Sequence, residues 1–232
     1  MGKVGKRYKA LKQKVDATKL YDLQAACELA VSNANAKFDE TIDVSVRLGV
    51  DPRKADQNIR GSVALPHGLG KTVRVAVFAK GDKAKEAQEA GADIVGSDEL
   101  VKMVQDGNMD FDTVVATPDM MGQVGKVGKL LGPRGLMPSP KVGTVTFEVG
   151  EVIRSLKAGR AEYRVDKAGI IHAAVGKASF GAQKIKENAE TLLQALLKVK
   201  PSSSKGIYMR TGSISSTMGP GVSIDLSPMR SV

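Results

Sequence analysis

An outer α+β domain with an α/β domain set into it is the architecture this sequence predicts, and three changes of pattern predict it. Strands with apolar–polar alternation, accompanied by one helical stretch on each side, occur toward both ends of the chain. Between them, Val73–Ala79 is a nearly continuous apolar run, as for a strand buried on both faces. Breaks rich in glycine and proline, at Pro66–Lys71 and at Gly159, separate the two styles. The domains therefore read as 1–67 joined to 160–232, with 68–159 inserted.

In order, residues 1–14 carry Lys3, Lys6, Arg7, Lys9, Lys12 and Lys14, with no acid before Asp16. That is either a solvated tail or an arm that tracks phosphates. From Asp22 to Ala36 the residues Leu23, Ala26, Cys27, Ala30 and Val31 recur at helical spacing, with Thr18 as a candidate cap. Ile42–Leu48 alternates as a strand, and Asp51-Pro52 opens a turn. Gln57–Leu65 is polar, then extended.

The inner segment alternates strand and helix over short links: the apolar run, a helix at 82–90, Ile94-Val95, a helix at 98–105, and Thr113–Ala116. This is the pattern of a parallel sheet with crossover helices. Thr117-Pro118-Asp119 opens a further helix that the glycines and prolines of 132–140 end, and 149–157 reads as another. After Gly159, residues 161–165 and 170–175 predict a hairpin across Asp166–Gly169. An amphipathic helix with Ile185, Ala189, Leu192, Leu193, Leu196 and Leu197 follows, stopped near Pro201. Ile207–Arg210 and Val222–Leu226 then read as two strands around the turn Thr211–Gly221.

Composition narrows the function. The chain has 232 residues and a formal net charge of +10, which favours an anionic partner, nucleic acid first. Aromatics are 4% and Trp is absent, so a stacking platform for single-stranded bases does not fit, whereas shape and backbone recognition of a folded RNA does. A single cysteine, Cys27, excludes a disulfide framework and a thiolate metal centre. No apolar stretch is long enough to span a membrane and no apolar run follows the basic N-terminus, so the expected location is the cytoplasm.

Catalytic signals are missing. A phosphate-binding loop ending at Gly70-Lys71 would need glycine where Leu65 stands, and one ending at Gly176-Lys177 would need it at Ile171. Gly125-Lys126 and Gly128-Lys129 fail likewise at Met120 and Gln123. Gly122, Gly125 and Gly128 do not form the dinucleotide fingerprint. His67 and His172 read as structural. No catalytic residue, metal or cofactor is expected.

Two stretches remain as binding candidates. The Thr211–Gly221 turn carries hydroxyls at Ser215, Ser216 and Thr217 beside Gly219 and Gly221, and no acid lies between Glu190 and Asp225. It is either a solvated turn or a surface for a sugar-phosphate edge. Between Met120 and Phe147 there is again no acid, while Lys126, Lys129, Arg134 and Lys141 stand among glycines and prolines. That stretch is either a solvated flexible loop or a mobile basic surface. Phe38, at a helix-to-strand junction, is either core or contact.

Seven motifs in order carry a resemblance: Phe38-Asp-Glu-Thr41, Leu48-Gly-Val-Asp-Pro-Arg-Lys54, Asp56-Gln-Asn-Ile-Arg-Gly61, Leu65-Pro-His-Gly-Leu-Gly-Lys71, Leu131-Gly-Pro-Arg-Gly-Leu-Met-Pro138, Val175-Gly-Lys-Ala-Ser-Phe180 and Thr217-Met-Gly-Pro220. Over essentially the whole chain they resemble the bacterial ribosomal protein L-one family (the universal uL-one family), proteins of the mobile lateral stalk. The resemblance implies a split β-α-β outer domain and a Rossmann-like inner domain without a nucleotide. It implies a part of the large ribosomal subunit that binds the large-subunit (23S) rRNA stalk and takes part in release of deacylated tRNA from the exit site. It also implies repression of translation through the leader of the protein's own operon mRNA, and a monomer when free. The family's RNA cluster carries over to Lys37, Phe38, Thr217, Met218 and Gly219, with Asp166, His172, Lys177 and Ser179 contributing; Phe38 would act by packing that shapes the site. The possible tRNA-facing residues are Lys126, Lys129, Arg134 and Lys141. Ser139 stands where the family more usually has asparagine, which leaves open how the inner loop is tied. An RNA- or nucleotide-processing enzyme and a generic RNA chaperone are the rival readings.

Overall fold

The structure, a computed structural model, describes residues 5–230. In chain order, α1 is Lys6–Gln13, α2 Leu23–Ser32, β1 Thr41–Leu48 and β2 Arg60–Ala64. Then come β3 Val75–Phe78, α3 Asp82–Glu89, β4 Ile94–Gly96, α4 Asp98–Gln105, β5 Thr113–Ala116, α5 Met121–Leu131 and α6 Val149–Lys157. The chain ends with β6 Arg160–Arg164, β7 Ile170–Lys177, α7 Ala182–Lys198, β8 Met209–Ser216, β9 Val222–Ile224 and α8 Ser227–Arg230. It divides into two compact units, one joining Met1–Gly70 to Ala161–Val232, the other Lys71–Arg160. The fold is mixed, with an antiparallel sheet in the first unit and a parallel three-stranded sheet in the second.

In the first unit a sheet of order β7-β1-β8-β9 is antiparallel throughout. The alternation of β1 sends Ile42, Val44, Val46 and Leu48 into one core with Ile171, Val175, Ile214 and Val222. Two helices cover that side. α2 contributes Ala26, Cys27 and Ala30, and α7 contributes Ile185, Ala189, Leu192, Leu193 and Leu196. Leu192, Leu193 and Leu196 are fully buried, so truncating one of them to alanine costs about 2–5 kcal/mol.

The inner unit explains its own apolar run. In the parallel sheet of order β4-β3-β5, Ala76, Phe78, Val114 and Ala116 meet the buried residues of α4 and α5. Val75, Val77 and Val115 face the opposite way, onto α3 and α6. Both faces are covered, so neither has polar positions to alternate with.

Several expectations are corrected. Residues 6–13, read as a solvated tail or a phosphate-tracking arm, form a helix with Leu11 buried, so this part is no loose tail; Lys3 lies outside the described residues. Thr18 does not cap α2: its hydroxyl and amide are held by Asp16, and Asp22 accepts the Gln24 amide instead. The predicted hairpin is not a ladder. β6 pairs with β2 in a separate two-stranded sheet, and the chain after it meets β7 through a Val165–Ile171 bridge and the Asp166 amide on the Ile170 carbonyl. Alternation fixes which face a residue takes, not which strand lies beside it. Finally, β8 runs on to Ser216, which is buried, so the turn is shorter than predicted and Ser216 is no surface hydroxyl.

Among the described residues no helix is long and apolar enough to cross a membrane.

Candidate nucleic-acid interface

Where β8 ends beside the start of β1, the chain is tied into one junction. The Thr217 amide donates to the Thr41 carbonyl at 3.0 Å. The Thr217 hydroxyl accepts the Thr41 amide at 3.0 Å and donates to the Thr41 carbonyl at 3.2 Å. One lone pair of that hydroxyl is left facing solvent on an exposed residue. In the next turn the Gly219 amide donates to Ser216, and a Cβ at Gly219 would sit 2.5 Å from the Ser216 hydroxyl. Any larger residue there would need the Ser216 hydroxyl to turn away.

Beneath this junction lies Glu40, 1% exposed. Its Oε2 accepts the Met218 amide at 2.9 Å and its Oε1 accepts the Ala36 amide at 2.8 Å. Burial alone would raise this carboxyl. The amides of Met218 and Ala36, with smaller pulls from Ser216 and Arg7, outweigh it and hold the carboxyl below its ordinary value.

Asp39 does the equivalent work on the next loop. It accepts the Ser179 hydroxyl at 2.7 Å and the Ser179 amide at 3.1 Å, which together keep its carboxyl low. Lys177 donates to the Thr41 hydroxyl at 2.9 Å and reaches the Asp39 carbonyl at 3.4 Å. Phe38 and Met218 are 55% and 48% exposed, so neither is core. The loop after α2, the end of β7 and the β8–β9 turn thus present exposed apolar tips, an ammonium and hydroxyls on one surface.

The candidate residues divide accordingly. Thr217 and Lys177 meet at Thr41, Ser179 is held by Asp39, and Met218 is tied by Glu40 to the loop that carries Lys37 and Phe38. Asp166 and His172 are elsewhere. His172 lies five residues before Lys177 along β7, about 17 Å away in an extended strand. Its Nδ1 is 2.9 Å from the Ser45 hydroxyl and its Nε2 is 3.7 Å from Asp166. Asp166 itself accepts the amides of Ile170 and Ala168, which lower its carboxyl and shape the turn before β7. His67 pairs with Glu187 at 2.5 Å, a structural tie.

In the inner unit Lys126 and Lys129 project from α5, and Arg134 and Lys141 lie beyond it; all four are exposed. The 11 residues of α5 in the acid-free stretch are therefore helix, not flexible loop. Its far end is tied at the unusual Ser139, whose amide donates to the Thr144 hydroxyl at 2.8 Å.

Sequence reasoning missed the roles of Asp39, Glu40 and Thr41. The available signal was an adjacent acid pair before a strand in a basic chain. Taken as charge, it repels phosphate; folded, both carboxylates are occupied by hydrogen bonds from the loops that carry the site. The chain matches, over residues 30–220, the family described as Ribosomal protein L1p/L10e family, and that span runs from before Lys37 to beyond Gly219.

Proposed function

Because the chain belongs to the ribosomal protein L1p/L10e family, we propose that it binds the stalk region of large-subunit rRNA through the Thr217 junction. The family is one of RNA-binding, structural ribosomal proteins, not enzymes. The observation that carries the finer reading is the surface itself: Phe38, Met218, Lys177 and the free side of Thr217 are presented together while the acids beneath are occupied. Hydroxyls, one cation and exposed apolar tips suit ribose and phosphate edges with an unstacked base beside them. Lys37 and Ser179 complete the cluster. Asp166 and His172 would contribute from the other end of the sheet.

The same surface would take the leader of the protein's own operon mRNA if that leader presents the same RNA shape, and so repress translation. The inner unit, Lys71–Arg160, would meet exit-site tRNA with Lys126, Lys129, Arg134 and Lys141, moving about its two chain crossings. The protein would act in the cytoplasmic ribosome and be monomeric when free.

The test is titration of the purified protein with a stalk-rRNA transcript and with a random RNA of equal length. Preference for the transcript by a hundredfold or more is expected; equal affinity would make the protein a general RNA binder. For the inner unit, replacing its four basic residues with glutamine should spare stalk-RNA affinity and slow or hasten tRNA release on whole ribosomes. Loss of stalk affinity instead would place those residues in the anchor.

A further inference from the structure

A buried polar group left without a partner costs free energy, so such groups are satisfied by the protein or by internal water. Among the described residues, five buried side-chain nitrogen or oxygen atoms pair with no group of the protein. Three of the five lie under the Thr217 junction: both amide atoms of Asn33 and the Ser216 hydroxyl. Asn33 closes α2, its backbone amide donating to the Leu29 carbonyl at 3.0 Å, and Ser216 ends β8. Gly219 brings the two side chains to one place. The point where a Cβ on Gly219 would sit is 2.5 Å from the Ser216 hydroxyl and 3.8 Å from the Asn33 Cβ. The Glu40 carboxylate is close as well, since Ser216 helps to hold it low.

Asn33 is 1% exposed and Ser216 3%, so an RNA lying on the surface reaches neither. What satisfies them is therefore small and internal. The Asn33 nitrogen only donates, its oxygen only accepts, and the Ser216 hydroxyl does either. A cation would suit the two oxygens but not the amino group. A water both donates and accepts, which matches all three atoms, and internal waters make about three such bonds.

We propose that Asn33 and Ser216 bind one internal water between the end of α2 and the β8–β9 turn, and that this water fixes the turn carrying Thr217, Met218 and Gly219. Glu40 ties that turn to the loop before β1; the water ties it to a helix packed in the core. Asn33 is then a positioning residue, which touches no RNA and acts on the backbone that does. This second half rests on the proposed rRNA-binding reading, whereas the water itself does not.

Two measurements on the full chain test the water. A crystal structure of the parent should show an ordered water within hydrogen-bonding distance of the Asn33 amide and the Ser216 hydroxyl, a result that does not depend on any variant folding. Asn33→Leu keeps the branched shape of the side chain, and combined with Ser216→Ala it removes all three polar atoms. If the site is hydrated, this pair strands the water and should lower the melting temperature by roughly 2–4 °C. If the site is dry, removing unpaired groups leaves the melting temperature unchanged or raises it, and the proposal is overturned. A melting temperature that differs between potassium and sodium salts at equal ionic strength would overturn it in favour of a cation. Affinity for the stalk-rRNA transcript, read well below the melting temperature, tests the positioning role. Asn33→Leu should weaken binding roughly three- to tenfold, with Thr217→Val run beside it. If Thr217→Val weakens binding and Asn33→Leu does not, the positioning role is overturned and the junction stands. If neither weakens binding, the junction reading fails and the positioning role falls with it, while the crystal structure and the melting temperatures still decide the water.

Discussion

Glu40 joins the two loops that carry the candidate site: one carboxylate oxygen accepts the Met218 amide at 2.9 Å while the other accepts the Ala36 amide at 2.8 Å. Both loops therefore depend on a single buried group that is not itself on the surface. Glutamine at this position keeps one oxygen but turns an amino group toward the second amide, setting donor against donor. Glu40→Gln should lose about 1–3 kcal/mol of stability, because a buried donor is left unpaired, and should weaken stalk-RNA binding by disordering the turn. Denaturant unfolding and RNA titration of the same preparation check both. Unchanged stability would mean the carboxylate is not the clamp.

The same group sets a pH dependence. Its folded carboxyl lies below its ordinary 4.5. Above that value the stabilisation is complete, and it is lost as pH falls through the lower, folded value. Acid unfolding of the parent should therefore be steeper than that of Glu40→Gln, read from melting temperatures across the acid range.

Thr217 spends most of its hydrogen-bonding capacity on Thr41, accepting its amide at 3.0 Å and donating to its carbonyl at 3.2 Å. Thr217→Val should consequently cost about 1 kcal/mol of stability as well as RNA affinity. Thr217→Ser keeps the hydroxyl and should retain most of both. A valine variant with parental affinity would move the RNA contact elsewhere, whatever its stability.

Much of this fold was legible in the chain because it depends on periodicity. Period-two alternation placed Val44 and Val46 inward, helical spacing placed Ile185, Ala189 and Leu192 on one face, and the unbroken run at Val75–Phe78 announced two covered faces. Pairing was not legible: Tyr163 and Ala161 announce a buried side, but nothing local says that their strand joins β2 and not β7. The site was half legible. Thr217 stood out by type and Lys177 only through the family resemblance, whereas Glu40 was hidden because an acid near a phosphate site reads as repulsion until its amide partners, 178 and 4 residues away, are known. Ser216 misled in the opposite sense, since a hydroxyl beside a glycine turn looks exposed and is buried.

Asp43 is a half-buried acid on the open sheet face. Burial raises its carboxyl, against the opposing pull of His172 and Lys177. An acid raised on folding binds protons more tightly in the folded state. Stability is therefore lost as pH climbs from the ordinary 3.8 through the folded value. Asp43→Asn should be more stable than the parent at neutral pH, with the gap closing as pH falls through that window. It should also bind stalk RNA more tightly, since a negative charge leaves the unit that carries Thr217. Weaker binding would show that the carboxylate accepts a hydrogen bond from the RNA.

The outer unit should fold without the inner one, provided the splice respects one side chain. Asn188 is buried on α7; its amide nitrogen donates to the Gly68 carbonyl at 3.0 Å and to the Val175 carbonyl at 2.8 Å, and its oxygen accepts the His67 amide at 3.1 Å. Gly70, in the left-handed region at φ +66°, then passes so close to Phe180 that a Cβ would lie 2.9 Å from the ring. The segment 66–70 is thus bonded to α7 and to the end of β7, and it belongs to the outer core. A cut at residue 66 would strip three hydrogen bonds from Asn188 down to one and leave a buried amide with unpaired atoms, at a cost of about 1–3 kcal/mol for each. Joining Gly70 to Ala161 through a short glycine linker keeps them all. That protein should unfold in one cooperative transition and bind the stalk-rRNA transcript within a few-fold of the full chain, while a splice after residue 66 should be measurably less stable. A molten product from the Gly70 splice would mean that the outer core needs the inner unit to form.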